Sequence, residues 1–219
     1  WCNWGDDICW HENQGGGVFV EHAIDRAFQW PYSVYAVDMD GDGDMDVLAA
    51  GGNGGDNRIA WYENNGSQSF SRRTITTSAA QAKCVVARDV DGDGDLDVLA
   101  AYGVNPDGFI AWYENNGSQS FTTHVVANNI PVGTSVDACD IDGDGDMDLV
   151  STNGGYDTLS SYTEGKDHIH WYENDGSQNF TQHMIATDAN LDDPMSVRIA
   201  DMDGDRDPDI LVAISGNNA

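Results

Sequence analysis

Positive charge is the scarcest feature of this sequence. Lys and Arg number 9 against 38 Asp and Glu, for a formal net charge of −29. A chain so acidic has no basic surface with which to hold nucleic-acid phosphates or an anionic membrane. Long apolar runs are missing too: none approaches the roughly 18 residues that a membrane-spanning helix needs, so membrane insertion is not expected. Cysteine is sparse, and Cys2, Cys9, Cys84 and Cys139 contain no CxxC pair, which argues against a zinc or thioredoxin-like site. Four cysteines allow three pairings; their closeness in sequence favours Cys2 with Cys9, and Cys84 and Cys139 read as either buried thiols or a second bridge. Catalytic signatures are lacking as well, with no Gly-x-Ser-x-Gly, HExxH or phosphate loop, so no enzyme activity is expected. Nothing has helical periodicity.

Acidic chains are often disordered, but disorder goes with few aromatics and low hydrophobicity. Here 219 residues include seven Trp, eight Tyr and 40% apolar residues, enough for one sizeable packed domain. Something must offset the acid, and a divalent cation is the expected agent. The chain opens at Trp1, a start expected of a processed or excised product.

Self-similarity then decides the architecture. An acidic string begins at Asp38, Asp89, Asp140 and Asp201, the first two intervals equal and the third ten residues longer. A second string, "IAWYENNGSQSF", starts at Ile59 and Ile110 and returns as "IHWYENDGSQNF" from Ile169 and "ICWHENQGGGVF" from Ile8. One unit reads as four short strands. Strand A ("SVYAVD", "CVVARD", "SVDACD", "SVRIAD") alternates with period two around Val34, Val85, Val136 and Val197. Strand B ("DVLAA", "DLVST", "DILVA") is a near-continuous apolar run suited to burial on both faces. Strand C carries the Trp-Tyr pair, and strand D runs from the Phe to a terminal aliphatic. Gly/Asn/Asp turns separate them. Four-stranded units of this length predict an all-β fold, a β-propeller of antiparallel blades. The blades fall at about 26–76, 77–127 and 128–187, with a fourth split between 188–219 (strands A and B) and 1–25 (strands C and D). Joining those halves within one chain would close a four-bladed ring and remove two sheet edges. Joining them between chains would give a larger ring or a head-to-tail polymer.

"DMDGDGDMD" at 38–46 explains why the acids are concentrated. Positions 1, 3, 5 and 9 carry carboxylates, position 7 can offer its backbone carbonyl, and glycines at 4 and 6 let the chain wrap tightly. Hard oxygen ligands around a tight loop suit Ca²⁺, which takes 6–8 oxygens at about 2.3–2.6 Å; Mg²⁺ keeps its waters and suits such a cage less well. Two unit charges about 4 Å apart repel by roughly 4 kcal/mol at an effective dielectric near 20, so a bound cation turns a cost into cohesion. The predicted metal residues are Asp38, Asp40, Asp42, Asp44 and Asp46; Asp89, Asp91, Asp93, Asp95 and Asp97; Asp140, Asp142, Asp144, Asp146 and Asp148; and Asp201, Asp203, Asp205, Asp207 and Asp209, about one Ca²⁺ per repeat and four in all. An EF-hand shares the opening of this pattern but needs a Glu at position 12 and flanking helices. Position 12 here is Ala49, Ala100, Ser151 or Val212. In the last loop Arg206 replaces the second glycine and Pro208 is added, so that site is expected to be the weakest or most distorted.

D-x-D-G-D-G-x-x-D after a short strand, followed by "WYEN-(N/D)-GS-x-x-F", resembles the FG-GAP/VCBS-type repeat of integrin α-chain heads, fungal propeller lectins and many secreted bacterial proteins. The likeness covers essentially the whole chain. It implies a β-propeller with Ca²⁺ in the A–B hairpins, living outside the cell, and usually a ring larger than four repeats make. It implies no single activity.

Antiparallel blades place the A–B and C–D turns on one face and the B–C and D–A loops on the other. The second face carries the irregular loops and the ten-residue insertion, and function concentrates on such loops. Trp30, Tyr32, Tyr102, Tyr156 and Tyr162 are the candidate residues for stacking on a sugar or a partner, although Trp30 and Tyr32 also suit packing between blades. The repeated Trp10, Trp61, Trp112 and Trp171 read as packing between blades. His22, His124 and His183 share a strand-D surface position with Arg73, and His168 and His170 alternate beside the insertion. Asn65, Asn116 and Asn179 sit in N-x-S/T sequons, acceptors for glycans if the protein is extracellular. The expected function is a secreted or cell-surface, calcium-stabilised binding or adhesion module with a carbohydrate or protein ligand. The alternatives are a structural subunit of an extracellular filament or layer, built by blade sharing, and an accessory part of a secreted enzyme.

Overall fold

A computed structural model describes residues 7–52, 57–104, 107–154, 167–186 and 193–215. Their sixteen strands are all antiparallel to their neighbours, and no helix occurs among the described residues. Three sheets are complete. Sheet I is β3 (Pro31–Val37), β4 (Asp46–Gly51), β5 (Arg58–Asn64) and β6 (Phe70–Thr76). Sheet II is β7 (Cys84–Arg88), β8 (Asp97–Val104), β9 (Asp107–Asn115) and β10 (Phe121–Ile130). Sheet III is β11 (Gly133–Cys139), β12 (Asp148–Asn153), β13 (His168–Asn174) and β14 (Phe180–Ala186). At the two ends stand two-stranded sheets, β1 (Ile8–Gly15) with β2 (Val18–Asp25), and β15 (Pro194–Ala200) with β16 (Asp209–Ile214). The four strands predicted per repeat are present in the three complete sheets, and each end sheet holds two strands. No sheet joins β16 to β1.

Each sheet meanders, so one register serves all of them: Leu48 faces Trp61 in sheet I, Leu99 faces Trp112 in sheet II and Val150 faces Trp171 in sheet III. The second strand is buried on both faces where the sheets are complete, as the apolar run of β8 requires; β12 is as buried although Ser151, Thr152 and Asn153 lie in it. The same run in β16 is mostly half-buried or exposed. The sheets pack face to face. Leu48, Ile59 and Trp61 of sheet I meet Val85, Ala87 and Val98 of sheet II. Leu99, Ile110 and Trp112 of sheet II meet Val136, Ala138 and Leu149 of sheet III. The β1–β2 pair covers sheet I through Ile8 and Ile24 against Ala49, Ala60 and Tyr62, and Tyr62 donates its hydroxyl hydrogen to Asp25 at 2.7 Å. The β15–β16 pair covers sheet III through Val197, Ile210 and Val212 against Val150 and Ile169.

The first strands of successive sheets lie side by side, and one cation ties three of them together. Arg88 on β7 donates to Tyr35 on β3 (2.9 Å), to the carbonyl of Ala138 on β11 (3.2 Å) and to Asp137 (2.6 Å), a carboxylate buried at 3% exposure. The connections between sheets are fastened by a repeated backbone bond: Gly52, Gly103, Gly154 and Ser215 donate to Trp30, Ala80, Val132 and Asp193 at 2.7–3.1 Å. Cys84 is a buried thiol donating toward the Val136 carbonyl, and Cys139 is a half-buried one. Cys2 lies outside the described residues, and with it the predicted Cys2–Cys9 pairing.

Candidate metal centre

Each acidic string forms the hairpin between the first two strands of its repeat, and the same hydrogen bonds shape all four. The position-1 carboxylate accepts from the amide at position 6: Gly43 to Asp38 (2.9 Å), Gly94 to Asp89 (3.1 Å), Gly145 to Asp140 (3.0 Å) and Arg206 to Asp201 (3.0 Å). Positions 3 and 5 cap the amide two residues on, as aspartates do in tight turns; Asp40 accepts from Asp42 and Asp42 from Asp44. The wrap requires a left-handed residue at position 6, where Gly43, Gly94 and Gly145 have φ of 94°, 97° and 99°. Arg206 takes φ 81° at the same place. The last loop therefore keeps the shared hydrogen-bond pattern, and the distortion expected of it is confined to this one residue, a strain of about 1–2 kcal/mol for a side chain with a Cβ.

This wrapping brings carboxylates together. Oxygens of Asp38, Asp40 and Asp42 lie within 4.8 Å of one another, as do those of Asp89, Asp91 and Asp97, of Asp140, Asp142 and Asp148, and of Asp201, Asp203 and Asp209. Of the predicted residues, positions 1 and 3 thus converge in every loop, joined by position 5 in the first and by position 9 in the other three. Oδ1 of Asp38 is buried without a hydrogen-bond partner. An orphaned carboxylate oxygen beside other carboxylates is costly, and each of these donor sets could hold a hard divalent ion. Burial, followed by neighbouring carboxylates, pushes Asp40 and Asp91 above the usual carboxylate range. Burial likewise raises Asp46 and Asp148, and lifts Asp97 to about 6.

Position 9 also does structural work that the acidic pattern alone did not disclose. Asp46, Asp97 and Asp148 are fully buried. Asp46 accepts from the amides of Met39 (3.1 Å) and Asn64 (2.7 Å) and from the Trp61 indole (2.9 Å), which pins the third strand to the hairpin. Asp97 accepts from Val90 (2.9 Å) and Asn115 (2.7 Å), and Asp148 from Ile141 (3.1 Å) and Asn174 (2.8 Å). Position 7 stands apart from the carboxylate sets. The side chains of Asp44, Asp95 and Asp146 rest on Gly66, Gly117 and Gly176 of the next turn, where a Cβ would come within 2.3–2.5 Å of a carboxylate oxygen. The "GS" in "ENNGS" is therefore the seat for a loop aspartate.

The repeated third strand has a further pattern. His22, His124 and His183 stack on Trp10, Trp112 and Trp171 at 4.4–4.7 Å between centroids, and each bonds the Glu two residues after that Trp. Arg73 does the same over Trp61, with Glu63 as its ion-pair partner. The shared strand-D position thus clamps the tryptophan from outside. His170 is buried, accepts a hydrogen bond at Nδ1 from Asn153 (2.8 Å) and stacks on His168 at 5.2 Å, so it is a packing histidine.

Among the described residues, the candidate ligand residues Trp30 and Tyr32 do not come together with Tyr102. Trp30, just before β3, and Tyr32, near its start, are about half exposed. Tyr102 is a correction: it is buried at 8% exposure and stacked on Phe109 at 5.2 Å, because its place at the end of β8 carries it into the core between sheets I and II. Tyr156 and Tyr162 lie outside the described residues. Asn65, Asn116 and Asn179 are all exposed on turns; the Asn179 side-chain amide donates to Asp175 at 3.0 Å.

No curated protein matches the chain. The model for the FG-GAP-like repeat matches it four times, over residues 1–49, 38–100, 89–151 and 153–212. Those matches take in all four aspartate loops, and the chain belongs to the FG-GAP-like repeat family.

Proposed function

We propose that this chain is a calcium-stabilised β-propeller module that works outside the cell as a non-catalytic binding or adhesion unit. The observation that carries the reading is the set of carboxylate oxygens drawn within 4.8 Å of one another in each repeat, with the orphaned Oδ1 of Asp38 among them. Calcium at one ion per repeat supplies the missing charge. It suits oxygen-only donors in a flexible loop, and extracellular calcium modules work at dissociation constants of about 10⁻⁴–10⁻³ M. The protein's residues then hold the hairpins in register, and the cation fastens them. A carbohydrate or protein ligand binds on the face opposite the metal loops, beside exposed Trp30 and Tyr32, where the sequence varies between repeats. Exposed Asn65, Asn116 and Asn179, on the turns beside the metal loops, are available to glycosylation.

Titration with CaCl₂ after EDTA treatment tests the metal, read as melting temperature and as isothermal heat. Binding only to the folded loops raises stability by about 2.7 kcal/mol per site at one hundred times the dissociation constant. A melting curve indifferent to EDTA, or one in which Mg²⁺ serves equally, refutes the calcium reading. A glycan array probed in millimolar calcium, with Trp30→Ala as the control, tests the ligand face.

A further inference from the structure

We infer that Asn65 and Asn116 are sites of spontaneous covalent modification, at which each asparagine cyclises onto the nitrogen of the following glycine and becomes aspartate or isoaspartate. The sequence holds four Asn-Gly steps, at Asn53, Asn65, Asn116 and Asn153. Asn53 lies outside the described residues, and the structure sets the other three in two contrasting environments.

The reaction needs a glycine nitrogen free to attack, a reachable Cγ and an amide Nδ2 free to leave. Asn65 and Asn116 are exposed on turns, and neither Gly66 nor Gly117 has a Cβ to shield its nitrogen. Among the described residues, the amides of Gly66 and Gly117 donate no hydrogen bond. Each asparagine is held by its oxygen alone. Oδ1 of Asn65 accepts from the amides of Ser67 (3.0 Å) and Ser69 (3.3 Å). Oδ1 of Asn116 accepts from Ser118 (3.0 Å) and Ser120 (3.2 Å). All four partners are N–H donors, so the oxygen faces them and Nδ2 is left without a partner among the described residues. Two amides aimed at Oδ1 also stabilise the negative charge that this oxygen gains when Cγ is attacked.

Asn153 has the same neighbour and the opposite setting. It is fully buried, its Nδ2 donates to Nδ1 of His170 at 2.8 Å, and the Gly154 amide donates to the Val132 carbonyl at 3.0 Å. Both nitrogens that the reaction uses are engaged there.

The steps balance with water as the only co-reactant. The Gly66 nitrogen bonds to Cγ of Asn65, the Cγ–Nδ2 bond breaks, and the proton lost by the glycine nitrogen leaves with Nδ2 as ammonia. Water then opens the cyclic imide. Opening at Cγ gives aspartate. Opening at the main-chain carbonyl gives isoaspartate, with the chain now running through Cγ.

The third repeat already carries the first product. Asp175 stands where Asn65 and Asn116 do, and its Oδ1 accepts from Ser177 (2.9 Å) and Asn179 (3.3 Å), the same pair of bonds. The glycine that permits the reaction is fixed by the fold, since a Cβ on Gly66 or Gly117 would collide with the carboxylate of Asp44 or Asp95. Isoaspartate lengthens the main chain immediately before that glycine and so shifts the seat of the loop aspartate. A glycan on Nδ2 blocks the reaction, which makes the two modifications exclusive at these asparagines. None of this requires the calcium reading to hold.

The test uses the full chain, made in bacteria so that no glycan caps the asparagines, and kept for days in warm, mildly alkaline buffer. Mass spectrometry of its peptides follows each asparagine, and enzymatic methylation of isoaspartate reports that product. In the folded chain Asn65 and Asn116 should convert at least about tenfold faster than Asn153, which reacts only through local opening. In urea the three rates should converge. Asn65→Gln, which would need a larger ring, should remove the isoaspartate from its own peptide and leave the Asn116 product unchanged. The proposal is overturned if Asn65 and Asn116 stay intact in the folded chain, if folded Asn153 converts as fast as they do, or if isoaspartate persists in the Asn65→Gln peptide.

Discussion

Asp97→Ala, measured in the absence of calcium, separates the structural from the ionic role of the repeat aspartates. Asp97 is fully buried and accepts from two backbone amides, Val90 at 2.9 Å and Asn115 at 2.7 Å. The alanine leaves both amides buried and unsatisfied, at about 1–3 kcal/mol each. It also removes a carboxylate that burial has lifted to about 6, and at neutral pH that relieves part of the cost of keeping it charged. The two effects oppose each other, about 2–6 kcal/mol of unmade bonds against up to about 3 kcal/mol of relief, and the unmade bonds should win, leaving a loss of up to about 3 kcal/mol. Against a total stability of about 5–15 kcal/mol that loss is large. Asp95→Ala, two residues away in the same loop, is the control. Its side chain rests on Gly117 outside the carboxylate sets, and the change should stay within about 0.5 kcal/mol. Urea denaturation followed by tryptophan fluorescence in EDTA gives both numbers. If the two variants lose equal stability without calcium, position 9 is not a structural anchor and the account of the third strand's attachment is wrong.

Four other outcomes follow from particular contacts. Arg206→Gly should raise the urea midpoint by the equivalent of about 1 kcal/mol, since φ 81° then costs nothing; an unchanged midpoint contradicts the strain. Arg88→Ala should cost about 3–5 kcal/mol by leaving Asp137 buried and unpaired, and Arg88→Ala with Asp137→Ala should recover much of it in a double-mutant cycle. Gly117→Ala should cost more than Gly15→Ala, because both are strained by positive φ but only at Gly117 would the Cβ meet a carboxylate; equal thermal shifts would deny the seat. His170 is pushed down to about 4, first by burial and then by His168. Its folded pKa lies below its ordinary value, so its contribution is complete above about pH 6.5 and is lost as pH falls toward 4, by up to about 3 kcal/mol. His170→Gln, which keeps an acceptor for Asn153, should remove that slope from the difference in unfolding free energy.

Strand order, strand type and the placement of the aspartates were legible in the sequence because each is a local pattern repeated. Period two in the first strand, the continuous apolar second strand and the Asp/Gly hairpin need no knowledge of neighbours. The roles of Asp46 and Gly66 were hidden for the opposite reason. An aspartate in an acidic loop reads as a ligand whether it faces an ion or a strand, and a glycine in a turn reads as backbone freedom whether or not something sits on it. Tyr102 was misplaced because a loop-end tyrosine and a core tyrosine look alike until Phe109 is seen stacked beside it.

The exposure of Val34 shows where repeat logic stops. Val34 and Val85 occupy the same repeat position and strand, yet one is solvent-exposed and the other sealed. Burial in a stack of sheets belongs to the interface with the preceding sheet, and identical residues differ when that sheet is half present. A side chain of this size gains about 1.5–3 kcal/mol from full burial. Val34, Met202 and Leu211, at 59%, 63% and 37% exposure, therefore each realise only part of that gain. That is why a substitution at exposed Val34 should cost less folding stability than the same substitution at buried Val85.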